Sequence, residues 1–366
     1  MKIKFDRTKE QLELVQAMAS KDRAKAYEAQ AAMAKFVGPV LGEVINTAPT
    51  LSNIFQPLSF NLEDGASIPL DLYSDITDED YIKVYSQTMP GGLASNSIVP
   101  STSELKVATY TMDSAYNFDR KYAAKSRLDV VAKTFARLGQ EILLKQERTS
   151  ANLILGTLAD NASSNLVAGT STSLLPADFN NLVVKAQRVN TSWTSGTPVG
   201  RVGGVTDLWL SPERMADLRK MAYNPINTVA NDQTVAAGED SGITAPDSVR
   251  AALFNGAGLA NFYGFALHQI NELGKSQRYT QIFDAQYSGT FTAASDDLIL
   301  GIDMSRESLF KVLGTDTESN SSIVLEVDDQ FVARQRRIGY YLQIEEGRVI
   351  LDKRVIFGLR IANAAS

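Results

Sequence analysis

The chain has 366 residues, 44% of them apolar and 21% charged, and a formal net charge of −6. That length exceeds what one compact core holds and predicts about two sub-domains, while the acidic balance argues against a surface that wraps nucleic acid. With no cysteine and a single histidine, His268, the sequence excludes disulfides, thiolate nucleophiles and cysteine-held metals.

The opening residues 1–7 lack the apolar core of a signal peptide, and there is no run of about 18 apolar residues, so neither secretion nor a membrane span is expected. The expected setting is a cytoplasm, or something assembled there. Residues 8–45 read as helix, with Leu12, Val15, Met18, Ala19, Tyr27, Met33, Phe36 and Val37 as a thin apolar stripe that Gly38-Pro39 breaks or kinks. Two readings follow: an ordinary N-terminal helix, or an arm that docks on a neighbouring molecule.

Residues 50–118 change character. Stretches 55–62, 81–85, 98–99 and 105–112 are rich in β-branched and aromatic residues or alternate in polarity, which predicts strands. Leu105, Val107, Thr109 and Thr111 would share one side; Lys106, Ala108, Tyr110 and Met112 would take the other. The pattern is that of a long hairpin with a wide polar tip. The tip has few apolar residues of its own to bury, so a partner, another subunit, or a flap over the chain's own core is expected to receive it.

A long helix is predicted from Ser126 to Leu158. Leu128, Val131, Phe135, Leu138 and Ile142 recur at steps of three and four; the stripe weakens at Gln146 and Thr149 and resumes at Leu153, Ile154, Leu155 and Leu158. Ser126 is placed to cap it, with Asp129 as the capping-box acid. Lys133, Arg137, Glu141 and Lys145 stand at four-residue steps, so Glu141 can pair with either neighbour. Such a helix is about 50 Å long at the usual rise.

Residues 160–173 are small and polar and read as a junction. A helix over 176–189 is expected to bury Phe179, Leu182, Val183, Ala186 and Val189. Asp207–Leu210 reads as a short buried strand, and Ser211-Pro212-Glu213 as a helix start, with Met215 and Leu218 inward. Residues 224–250 read as loop. Further strand candidates are 260–267, 281–283, 297–301, 323–327, 331–338, 340–344, 349–351 and 355–357, with a turn at Glu345-Glu-Gly-Arg348.

For chemistry, His268 stands in a strand context without a Gly-x-Ser-x-Gly elbow, and reads as a surface or satisfied structural histidine. Zinc lacks ligands. Asp75, Asp78, Glu79 and Asp80 form the densest acidic cluster, without the one-three-five spacing of a calcium loop, and read as a solvated or subunit-contacting face. Arg334, Arg336 and Arg337 concentrate positive charge in an acidic chain; they are suited to phosphate, against the plainer reading of a solvated or salt-bridged face. No catalytic residue, cofactor site or metal site is assigned.

The order of these pieces resembles the major capsid proteins of tailed bacteriophages, which share the Hong Kong 97-type fold. Residues 62–112 resemble the family's extended E-loop hairpin, 126–158 its long spine helix, and 207–221, with Trp209-Leu-Ser-Pro-Glu213, its axial strand and helix. Residues 298–305 resemble the return strand, and 331–357 the closing segment. The resemblance implies an α+β fold with an N-terminal arm (1–50), the E-loop and flanking peripheral strands (51–118), the spine helix and linker (119–175), an α/β axial domain (176–296) and return strands of both domains (297–366). It implies a non-enzymatic shell protein of the virion, assembled in the host cytoplasm, that builds hexamers and pentamers of itself around double-stranded DNA, which it contacts weakly.

A scaffolding protein and a portal are implied partners, and a decoration or cement protein is admitted; no membrane is involved. Only about 50 residues precede the first strand, so a separate scaffolding protein is expected rather than a fused, cleaved one. Some family members cross-link an E-loop lysine to a neighbour. Lys83 lies in the matching loop, but no partner asparagine or catalytic acid is identifiable. Asp75, Asp78, Asp80, Lys83, Arg334, Arg336 and Arg337 are the candidate subunit contacts. Competing readings are an encapsulin shell of the same fold, with cargo docked at the N-terminal helix; a carboxylate-dependent enzyme centred on residues 75–80; and a tail or baseplate protein forming tubes or rings.

Overall fold

The computed structural model describes residues 8–47, 50–61, 65–69, 104–190, 204–223, 261–262, 264–287, 289–305, 308–315, 322–328 and 336–362. The strand candidates at 81–85 and 98–99, the hairpin tip and the 224–250 loop lie outside them. The described residues form two compact units: one from residues 8–69, 104–151 and 309–351, the other from 152–308 and 352–362.

In the first unit, the N-terminal helical stretch is two helices, α1 (Lys9–Met18) and α2 (Arg23–Thr47). The break falls at residues 19–22 rather than at Gly38-Pro39, and Pro39 lies inside α2. The capping residues explain this. Gln11 N–H donates to Thr8 Oγ1, and Ala24 N–H donates to Asp22 Oδ1 at 3.2 Å, so a fresh N-terminus is capped after Ser20. Tyr27 and Phe36, expected inward, are exposed; Val15, Met18, Met33, Val37, Leu41 and Ile45 form the buried stripe.

Strand β1 (Gln56–Asn61) and the short pair β2 (Ser67–Pro69) and β3 (Glu104–Lys106) follow, and β2 and β3 pair antiparallel at the base of the predicted hairpin. The strand expected over 105–112 is two strands. After a break at 107–109, β4 runs from Tyr110 to Asp119. The break shifts the alternation, so Met112 is buried and Thr111 exposed, with the earlier residues facing as expected. A one-residue slip of register exchanges the two faces of a strand.

Asp119 caps the short helix α3 (Arg120–Ala124) through the Lys121 amide. The long helix α4 is Leu128–Asp160, 33 residues. Ser126 does not cap it. Its φ of 47° places it in the left-handed region, and its hydroxyl has no partner among the described residues. Leu128, Val131, Phe135, Leu138 and Ile142 are all buried as the spacing predicts. Glu141 takes Arg137 as its partner at 3.6 Å, an exposed pair worth a few tenths of a kcal/mol.

The sheet beneath is completed by β10 (Leu309–Thr315), β11 (Ile323–Asp328) and β12 (Arg337–Ile350). Strand β12 pairs antiparallel with β4 from Arg337 to Glu346, with β11 from Gly339 to Ile344 and with β10 from Glu346 to Ile350; β1 pairs parallel with β10. The turn expected at Glu345–Arg348 is instead continuous strand. Gly347 lets the backbone at Ala108 come close to this strand: a Cβ there would stand 2.8 Å from the Ala108 carbonyl oxygen. Phe135 packs on Tyr340 with ring centroids 4.8 Å apart, in a core that α1, α2, α4 and the sheet share.

In the second unit, residues 160–173 are more ordered than a linker. They hold the short helix α5 (Ala162–Asn165) and strand β5 (Leu166–Ala168). Buried Asn165 anchors them by donating to the carbonyls of Lys353 and Ile356. Helix α6 (Pro176–Asn190) buries Phe179, Leu182 and Ala186; the Val189 side chain lies outside the described residues. Strand β6 (Asp207–Leu210) and helix α7 (Pro212–Tyr223) stand where the sequence places them.

The 260–267 candidate is a tight hairpin of β7 (Asn261–Phe262) and β8 (Phe265–Gln269), turning on Gly264 at φ 88°. The strand expected at 281–283 is helix, α8 (Arg278–Gln286), whose buried Tyr279, Thr280 and Phe283 reveal a period a three-residue window cannot show. Strands β9 (Asp296–Ile302) and β13 (Ile356–Ala362) complete a sheet of order β5-β13-β9-β6-β8-β7.

Candidate functional site

Of the candidate contact residues, Asp75, Asp78, Asp80, Lys83 and Arg334 lie outside the described residues. Arg336 and Arg337 are exposed at the start of β12. Arg336 has φ 53°, and its carbonyl accepts the Arg120 amide at 3.0 Å. Arg337 lies opposite Asp119 in the β4–β12 register and donates through Nη1 to Asn117 Oδ1. The pairing therefore gathers Arg120 and Lys121, which no spacing in the sequence linked to them, onto one basic edge of the first unit.

The densest polar site in the first unit is buried, and sequence reasoning missed it. Glu346 is fully buried between β4, β10 and α4. Its Oε1 accepts from the Tyr110 hydroxyl at 2.8 Å, and its Oε2 accepts from Gln146 Nε2 at 2.8 Å and Arg348 Nη2 at 3.2 Å. Arg348 also contacts Oε1 through Nη1, and Lys311 Nζ lies 3.9 Å from Oε2. Arg348 further donates to Ser52 Oγ and to the Tyr110 oxygen, and Glu147 accepts the Ser52 amide. One carboxylate thus faces two cations, both nearly fully buried.

Burial, with Arg348 adding to it and Glu346 opposing, pushes the Lys311 ammonium down to about 8. Burial also pushes the Tyr110 hydroxyl up. The only sequence signal was the interruption of the α4 stripe at Gln146, which is the residue that reaches Glu346.

The lowered Lys311 value has a definite sign. Between about 8 and the ordinary lysine value of 10.5, the unfolded chain holds the proton and the folded one does not. Stability on this account rises with pH across that window. Urea unfolding midpoints at the two ends are expected to show the rise in the native protein and not in Lys311→Met; an equal rise in both would remove Lys311 as its source.

In the second unit, His268 Nε2 lies 2.8 Å from Asp207 Oδ1, across the parallel pair β6–β8, and its ring stacks on Trp209 at 4.3 Å. Against the upward push of burial, hydrogen bonds from His268 and Thr206 hold the Asp207 carboxyl below its ordinary value. His268 is thus partnered by Asp207 and stacked on Trp209. Arg214 is a buried cation of this unit. It donates from Nε to Asp297 and from Nη1 to Asp217, each at 2.8 Å, and Ser211, which caps α7, donates to Asp297. Among the described residues no group of three or more His, Asp or Glu side chains is arranged to hold a metal.

No protein-family model matches the chain, and no curated protein matches it. Among solved structures, it is similar to the capsid of the cyanophage P-SCSP1u at 13% identity, covering 85% of this chain and 87% of that one, with a TM-score of 0.48. It is similar to the capsid of a native GTA particle at 11% identity, covering 86% and 90%, with a TM-score of 0.47. It is also similar to the SrpI encapsulin of Synechococcus elongatus at 11% identity, covering 73% and 78%, with a TM-score of 0.41. All three scores lie below 0.5, and no residue role is carried across from these structures.

Proposed function

We propose that the chain is a shell-forming subunit with the Hong Kong 97-type fold, the major capsid protein of a tailed bacteriophage. The observation that supports this reading most is the course of the chain. It builds part of one sheet (β1, β4), enters an unbroken 33-residue helix, forms a second α/β unit, and returns through β10–β12 to finish the first sheet. On this reading the first unit is the peripheral domain with its spine helix and the second the axial domain. Copies assemble as hexamers and pentamers into an icosahedral head around double-stranded DNA. A scaffolding protein and portal act in assembly, and a decoration protein binds the outside. Asp75, Asp78, Asp80, Lys83, Arg334, Arg336 and Arg337 are the residues proposed to meet neighbouring copies, opposite charges being present on one chain for heterologous contacts that close into rings.

Negative-stain electron microscopy of the purified protein, alone and co-expressed with its neighbouring genes, is expected to show closed icosahedral particles or capsomer rings that become them. A small monomer under every condition would overturn the shell reading, and tubes would redirect it to a tail protein. Nuclease-protected double-stranded DNA inside the particles is expected; a resident protein cargo without DNA would make the shell an encapsulin. Deleting residues 64–95 is expected to leave a soluble protein that no longer forms stable shells, and normal, equally stable particles from that variant would refute the locking role of the loop.

A further inference from the structure

The basic edge of the first unit surrounds a pocket of about 190 Å³ where the α1–α2 turn meets α3 and the start of β12. Four cations line it: Lys21, Arg23, Arg120 and Arg337. Arg120 is fixed there by its guanidinium, which donates to the carbonyls of Ala19 and Ser20. The nearby carboxylates are otherwise engaged, Asp22 with the Ala24 amide and Asp119 with the Lys121 amide. Among the described residues none of the four cations has an acidic partner within ion-pair distance. In a chain of net charge −6, four cations around one concavity are a local reversal of sign.

A second feature narrows the ligand. Gln30 also lines the pocket and is 2% exposed. Its Nε2 donates to the Met18 carbonyl at 3.1 Å, which fixes the amide's orientation, and its Oε1 has no partner among the described residues. A buried carbonyl oxygen without a donor costs about 1–3 kcal/mol, so a ligand that supplies a donor is favoured there. The cations call for an oxyanion; Gln30 calls for one that still carries a hydrogen. Sulfate and an internal phosphodiester have only acceptors near neutral pH. Monohydrogen phosphate has both the negative oxygens and one P–OH.

We propose that this pocket binds phosphate in its hydrogen-bearing form, with Lys21, Arg23, Arg120 and Arg337 on its oxygens and Gln30 Oε1 accepting from its P–OH. Discrimination follows from the acceptor. A buried polar group left unpaired by the wrong ligand gives stronger selectivity than charge alone, because every oxyanion satisfies the arginines. The inference concerns the single subunit and stands apart from the shell reading.

Isothermal titration of the full-length protein with sodium phosphate and sodium sulfate, at matched ionic strength and near neutral pH, tests it. Saturable binding of one phosphate is expected, with sulfate about tenfold weaker. Arg23→Ala with Arg337→Ala, both at exposed positions, is expected to weaken phosphate about tenfold or more while circular dichroism stays unchanged. Gln30→Leu is expected to bring the phosphate-to-sulfate ratio to about one; if that buried change unfolds the protein, the arginine pair still decides. Equal binding of both anions by the native protein, no saturable binding, or phosphate binding untouched by the arginine pair would each overturn the proposal. A short single-stranded oligonucleotide with and without a 5′-phosphate, at about pH 6 where about half of the terminal monoesters keep their hydrogen, separates the sources. Preference for the phosphorylated end places the ligand on nucleic acid, and no binding of either places it in free phosphate. Equal, tight binding of both oligonucleotides would mean a general polyanion face and would also overturn the pocket.

Discussion

Replacing Glu346 by Gln is expected to lower the unfolding free energy by about 3–5 kcal/mol, although the side chain keeps its size. The reason is what remains. Lys311 and Arg348 stay buried, each with 3% or less of its side chain exposed, and the carboxylate that both face is gone. An uncompensated buried charge costs far more than the pair it came from contributes. Lys311 can shed its proton, its ammonium being already pushed down to about 8; Arg348 cannot. The sharper test is therefore non-additive. Glu346→Gln combined with Lys311→Met should be more stable than Glu346→Gln alone, because one of the stranded cations has been removed. Urea unfolding of the native protein and the two variants reads both effects. A single variant within about 1 kcal/mol of the native protein would show that the carboxylate does not hold this cluster together.

How much of this was legible in the sequence depends on the range of the interaction that fixes each element. Periodicity placed the inward face of α4 correctly from Leu128 to Ile142, because a repeating apolar stripe is a local signal strong enough to survive any tertiary context. The same holds for Asp207–Leu210 and the Ser211-Pro212 helix start. Errors came where a distant residue decides. Glu345-Glu-Gly-Arg348 has the composition of a turn, yet it is strand, because Glu346 and Arg348 meet Lys311, Tyr110 and Gln146 from three other elements. Gln146 looked like a weak point in the helix stripe and is a buried donor. The 281–283 stretch was too short for its helical period to show, and 160–173 looked like a junction because its anchor, Asn165, bonds to carbonyls nearly two hundred residues later. For the candidate contacts the limit was similar. Arg336 and Arg337 stood out as local charge, but Lys21, Arg23 and Arg120, which join Arg337 around one pocket, are brought there by strand register and helix capping.

Arg214→Met is expected to destabilise the second unit by about 3–5 kcal/mol near neutral pH, and by less in acid. Arg214 is 3% exposed; it holds Asp297, Asp217 and the Thr172 carbonyl at once, tying α7 to β9 and to the segment before α6. Methionine fills much of the volume, so packing loss is a minor part of the effect. The larger part is Asp297, fully buried, with one oxygen already lacking a partner among the described residues. Burial raises its carboxyl above the ordinary 3.8, with Arg214 and Ser211 opposing. Without Arg214 that opposition weakens and the carboxyl rises further. A carboxyl raised in the folded state binds protons that the unfolded chain has released, so stability falls as pH rises from the ordinary value to the folded one. The gap between native and variant should therefore widen from mildly acidic to neutral pH and then level off. Asp297→Asn placed on Arg214→Met removes the titrating group and should flatten that dependence while leaving Asp217 to account for the remainder. Unfolding midpoints of the native protein and both variants across this range read the prediction directly. A gap independent of pH would assign the loss to packing around α7 instead of to the buried carboxylate.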